Sequence, residues 1–195
     1  MVLPIYAYGQ PVLRERAAEV ESDSPELQAL IDDMIETMGV AHGAGLAAPQ
    51  VGESLRLFVA DLTSYAEDLA EDNDGVVPDY ATGPLVFINP ELIVEEGAPE
   101  IDMEEGCLSI PDLRETISRP DVLRIRFLDR QFQEHEWPVE GPLARVIQHE
   151  TDHLDGVLYL DYLSPLRRKF LSRRLRAIAR GDCEADYPMA FRDDA

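Results

Sequence analysis

His149-Glu150-Thr151-Asp152-His153 constrains this chain more than any other stretch. It reads H-E-x-x-H and lies within residues 143–154, whose spacing predicts a helix. Residues four apart on a helix sit about 40° beyond a full turn, so both imidazoles project from one face. Two neutral imidazoles there can hold one divalent metal, and Glu150 lies about 60° from His153 around the axis. A carboxylate beside a metal-bound water can take its proton and later return it. The pattern therefore points to metal-assisted hydrolysis of an amide or ester. A buried helix with two hydrogen-bonded histidines would carry the same letters, so the motif needs partners elsewhere in the chain.

A catalytic metal normally takes three protein ligands and keeps one position open. Among the residues that could complete the set, Cys107 stands out, in Glu105-Gly106-Cys107-Leu108-Ser109 after a strand-like run. A thiolate suits Zn²⁺ or Fe²⁺ and disfavours Mg²⁺ or Ca²⁺. A buried cysteine acting as a small hydrophobe is the competing assignment. Cys183 is the other cysteine, and it fits a plain thiol. Two cysteines so far apart make no disulfide framework, which favours a reducing cytoplasm.

The rest of the chain supplies a fold class. Ser24-Pro25 opens a helix with Leu27, Leu30, Ile31, Met34, Ile35 and Met38 on one face, and Gly39 is its expected terminator. The run Gly43-Ala44-Gly45-Leu46-Ala47-Ala48-Pro49-Gln50 is dense in small residues, which let other groups approach closely. Strands are expected over residues 55–61, 85–88, 91–95, 115–118, 122–128 and 132–138. Asp129-Arg130-Gln131 is the expected hairpin turn. Gly141-Pro142 opens the H-E-x-x-H helix and Asp155-Gly156 closes it, while Ser164-Pro165 opens a last, basic helix to about Arg180. Strands in the middle and helices at both ends make an α+β fold, with antiparallel sheet packed around the central helix that carries the motif. Residues 1–181 are expected to form a single catalytic domain with an acidic, solvated loop over 64–84, and residues 182–195 a loose tail.

Charge bounds the partners. Seventeen basic residues face 39 acidic ones, a net charge of −22, and Lys169 is the sole lysine. Such a surface repels nucleic acid phosphates and anionic membranes. It suits either a high-salt habitat, where self-repulsion is screened, or a basic partner; acid spread along the chain favours the first. No apolar run is long enough to span a membrane, and residues 1–10 lack the regions of a signal peptide.

Three segments taken together resemble the peptide deformylase family, in its bacterial form: Gly43-x-Gly45-Leu46-Ala47-Ala48-x-Gln50, Glu105-Gly106-Cys107-Leu108-Ser109 and His149-Glu150-x-Asp152-His153. The resemblance runs from about residue 3 to residue 180. It implies removal of the formyl group from the N-terminal methionine of new polypeptides. It implies one divalent ion on Cys107, His149 and His153, with Fe²⁺ natively and Zn²⁺, Ni²⁺ or Co²⁺ as substitutes. Glu150 would be general base and acid. The Gln50 amide and the Leu108 N–H would stabilise the oxyanion. Gly45 and Arg114 would meet the peptide, and Glu105 and Arg119 would form an ion pair steadying the cysteine segment. The last helix would dock on ribosomal RNA; arginines that merely balance nearby acids are the alternative. A monomer is the default.

Two other functions share part of the pattern. A protease of internal peptide bonds also uses H-E-x-x-H but usually takes its third ligand downstream, where no histidine follows His153. A non-enzymatic metal-stabilised module would have no need of Glu150 or Gln50. His42 and His135 lack metal-ligand spacing to another histidine and are expected to be structural.

Overall fold

The computed structural model describes residues 1–71 and 73–192. Its centre is a five-stranded antiparallel sheet in the order β2 (Gly45–Ala47), β3 (Leu57–Ala60), β4 (Leu85–Ile93), β7 (Val122–Leu128) and β8 (Glu134–Glu140). Between β4 and β7 in sequence, β5 (Glu100–Cys107) and β6 (Ile110–Pro120) form a separate long hairpin.

Both faces of the sheet are covered, which explains its side chains. On β3, Leu57 and Val59 face the cluster built by helix α1 (Pro25–Val40), with Leu27, Ile31, Met34 and Met38. Phe58 and Ala60 point the other way, into the cluster that holds Leu143 and Ile147 of α3 (Gly141–Leu154). A strand packed on both faces buries every side chain, so β3 does not show the alternation expected of a half-exposed strand. Phe87 anchors that second face, its ring centroid 4.6 Å from Phe58 and 4.5 Å from Phe127.

Helix ends follow the local chemistry. Ser24 Oγ accepts from Leu27 N–H at 3.1 Å at the start of α1, and Ser164 Oγ accepts from Arg167 N–H at 3.2 Å at the start of α4 (Pro165–Ala179). Gly39 does not end α1, which runs to Val40. Gly156 ends the turn after α3 with φ +72°, where a Cβ would run into the Arg14 backbone at 2.7 Å. The β5–β6 hairpin packs Ile110, Leu113 and Ile117 against Leu171, Leu175 and Ile178 of α4.

Three expectations need correction. The segment 64–84 is not a bare loop. It contains the short helix α2 (Ala66–Glu71), and Leu69 and Ala81 are buried against the core. Two small apolar anchors are enough to seat an otherwise acidic stretch; residue 72 lies outside the described residues. The run broken at Asn89-Pro90 is one strand, β4, which absorbs the interruption as a shift in register between Ile88 and Glu91. The tail is not loose through residue 192. Residues Met189–Ala190 form β9, parallel to β1 (Ile5–Tyr6). Such a two-residue strand has no periodicity to read, and its partner lies at the other end of the chain. Residues 193–195 lie outside the described set.

Candidate metal centre

Helix α3 runs through the interior, with ten of its residues buried from Leu143 to Leu154. It presents His149, Glu150 and His153 to the end of β5, where Cys107 sits just before the hairpin turn Leu108-Ser109. Cys107 Sγ is 3.2 Å from His153 Nε2. One ligand atom from each of Cys107, His149 and His153 falls within 4.8 Å of the others, so the three converge on a space that fits a single metal ion.

Glu105 determines how His149 is presented. Its carboxylate accepts from Arg119 Nε at 2.6 Å and Nη2 at 3.0 Å, from Arg145 Nη1 at 2.8 Å and from His149 Nδ1 at 2.9 Å. With Nδ1 engaged, Nε2 is the nitrogen left for a metal. Burial opposes ionisation of Glu105, but the His149 imidazole and the Arg119 guanidinium outweigh it and hold the carboxyl far below its usual range. Arg119 continues to Asp152 Oδ2 at 2.7 Å, and Tyr162 donates to Asp152 Oδ1 at 3.1 Å. The expected ion pair of Glu105 and Arg119 is thus one edge of a buried network. Arg145 is the member that sequence reasoning missed. It lies four residues before His149, on the same face of the helix, and that spacing was available as a signal.

The donor set suits a soft divalent cation. Burial opposes a charge on His149, yet its contacts with Cys107 and Glu105 outweigh that and raise its pKa. His153 is pushed down by burial and then by the charge of His149. Two buried atoms there have no protein partner: Glu150 Oε2 and His153 Nδ1. Burial, opposed by His149 and aided by Glu105 and Asp152, pushes the Glu150 carboxyl up to about 7.

The glycine-rich segment closes the other side. Gln50 Oε1 accepts from Ala47 N–H at 2.8 Å, which turns Nε2 toward Cys107 Sγ at 3.4 Å and Ser109 Oγ at 3.3 Å. Gly45 lies against Glu150, and a Cβ there would strike the carboxylate, with Cδ at 2.7 Å. A Cβ on Gly43 would come within 2.8 Å of Leu108 Cδ1. Arg114 is set apart: its side chain is 68% exposed and lies 3.7 Å from Glu104. His135 pairs with Asp129 at 2.7 Å, apart from the Cys107, His149 and His153 group. His42 follows α1 in a left-handed conformation, φ +53°.

Comparison with known proteins agrees with this geometry. The family model described as polypeptide deformylase matches residues 2–169. A peptide deformylase from Salinibacter ruber is 53% identical over 194 residues, covering 100% of this chain and 97% of the relative. The crystal structure of a peptide deformylase from Ehrlichia chaffeensis superposes with a TM-score of 0.81 at 36% identity, covering 93% of this chain and 99% of that one. One from Legionella pneumophila gives 0.78 at 38% identity, covering 93% and 98%.

Proposed function

The chain belongs to the polypeptide deformylase family, and from that membership we propose how its residues carry out the reaction. The activity is metal-dependent hydrolysis of the formamide C–N bond at the N-terminal formyl-methionine of newly made polypeptides, with formate released. The observation that carries the reading is the convergence of Cys107, His149 and His153 beside a buried Glu150 whose Oε2 has no protein partner.

Cys107, His149 and His153 would hold a divalent ion, which would supply the Lewis acidity to make water nucleophilic near neutral pH and to polarise the formyl carbonyl. Glu150 accepts the proton of the attacking water and returns it to the leaving amine; a carboxyl held near neutrality by burial suits both tasks. Gln50 Nε2 and the Leu108 N–H donate to the developing oxyanion. Gln50 is suited to this because Ala47 holds its oxygen and leaves the amide protons facing the site. The Gly45 backbone aligns the substrate peptide, and Arg114 meets it from the rim.

Fe²⁺ is the native metal in this reading, while Zn²⁺, Ni²⁺ and Co²⁺ would accept the same donors. A ferrous thiolate centre would leave Cys107 open to oxidation. The catalytic domain works as a cytoplasmic monomer, without DNA or membrane partners. No helix among the described residues is long and apolar enough to cross a membrane. Ribosome contact falls to α4. There Arg167 is taken up by Glu115 at 2.7 Å and Arg174 by Asp112 at 3.2 Å, which leaves Lys169, Arg173 and Arg176 exposed for phosphates.

Formate release from a formyl-Met peptide, by protein purified without oxygen and with its metal quantified, tests this function. Release at about one metal per chain is the expected result. Cys107→Ala should lose both metal and activity. A Cys107→Ala protein that keeps its metal would point to a third ligand downstream, as in a protease.

A further inference from the structure

The turn between β5 and β6 is held from outside by both ends of the chain. Tyr187 Oη donates to the Leu108 carbonyl at 2.8 Å, and Tyr8 N–H donates to the next carbonyl, Ser109, at 2.8 Å. The two ends are themselves tied together. Ile5 pairs with Met189 and Tyr6 with Ala190, while Ile5 N–H reaches Pro188 O at 2.8 Å and Ala7 N–H reaches Ala190 O at 2.9 Å. The family model stops at residue 169, so Tyr187 and β9 lie beyond the part it matches.

The pinned turn is the one that carries the chemistry. Cys107 is fixed on one side by its pairing with Ile110 across the hairpin. Ser109 is fixed on the other by Tyr8, and its hydroxyl meets Gln50. Between them, the Leu108 N–H has no protein acceptor among the described residues. The remaining freedom of the turn is rotation of the peptide units that flank Leu108. Holding the Leu108 carbonyl restricts it: the Leu108–Ser109 peptide plane can no longer swing, and the Cys107–Leu108 unit that carries the Leu108 N–H is left between that fixed plane and the paired Cys107. Burial and the nearby Cys107 raise the phenol pKa of Tyr187, so it stays a neutral donor.

We propose that Tyr187 is a positioning residue for deformylation: by holding the Leu108 carbonyl it sets the direction in which the Leu108 N–H meets the oxyanion. This rests on the assignment of the Leu108 N–H as an oxyanion donor. Such donors act through fixed orientation, and misplacement by about 1 Å costs on the order of 10²-fold in rate.

Tyr187→Phe keeps the ring and removes only the hydroxyl. Steady-state kinetics with a formyl-Met peptide, metal content and thermal midpoint are measured on the variant and the wild type. The expected result is a kcat per bound metal lower by about 3- to 30-fold, with KM within about two-fold and metal content unchanged. A kcat per bound metal within about two-fold of wild type overturns the proposal, however far the midpoint falls. If the wild type releases no formate, the function itself fails. An active wild type with an unimpaired Tyr187→Phe sinks only the role of Tyr187.

Discussion

Glu105 Oε2 accepts from His149 Nδ1 at 2.9 Å while its other oxygen takes Arg119 and Arg145, so one buried carboxylate orients a candidate metal ligand and pairs with two guanidiniums. Glu105→Gln keeps the shape but strips the charge from that network. Breaking a buried charge cluster from one side costs about 3–5 kcal/mol, and loss of a ligand's outer partner weakens metal binding roughly 10–100-fold. Denaturant unfolding and chelator competition should show both. A variant as stable and as tightly metallated as the wild type would mean that Arg119 and Arg145 find other partners.

Gly45 and Glu150 are packed so closely that glycine is required there. Gly45→Ala should displace the carboxylate and lower kcat by roughly 10²-fold, with the metal retained. Glu150→Gln should also keep the metal and lose about 10²–10⁴-fold in kcat, the usual share of a general base and acid. Metal analysis beside kinetics separates these variants from one that merely disturbs the ligands.

Asp161 gives a pH-dependent contribution to stability. Burial opposes its ionisation, but bonds from Arg14 and the Leu158 N–H outweigh that and lower its pKa. A carboxyl whose folded pKa lies below its unfolded value stabilises the fold above the unfolded value, and this is lost as pH falls through the folded one. Asp161→Asn should therefore be less stable than the wild type near pH 7, and the gap should close as pH drops below about 4. Urea unfolding at both pH values checks this; a gap that stays constant or widens in acid would remove Asp161 from the account.

The −22 charge predicts that the thermal midpoint rises as salt increases into the molar range. Screening weakens surface pairs such as Arg126–Glu136, but repulsion among the excess acids is the larger effect. A flat or falling midpoint in a salt series would show that paired charges already balance the surface.

The candidate metal ligands and their neighbours were legible because they lie in short, dense motifs. Arg145 was missed although it stands four residues before His149, and Tyr187 is a common residue type in an ordinary local context, with its partner 79 residues away. The acidic stretch 64–84 read as loop because its anchors, Leu69 and Ala81, are too few to make a period. β9 was missed because two residues cannot show alternation.

What the sequence determined by itself is what the pitch of a helix and the chemistry of caps can fix: His149 and His153 on one face, Glu150 beside them, and helices opening at Ser24-Pro25 and Ser164-Pro165. What the tertiary structure decided is every partnership across long separations. Cys107 meets His153 46 residues away, Gln50 reaches Cys107 across 57, and Tyr187 reaches Leu108 across 79. Local geometry says nothing about such pairs, because they form only when a sheet covered on both faces and a hairpin braced by both chain ends bring distant segments together.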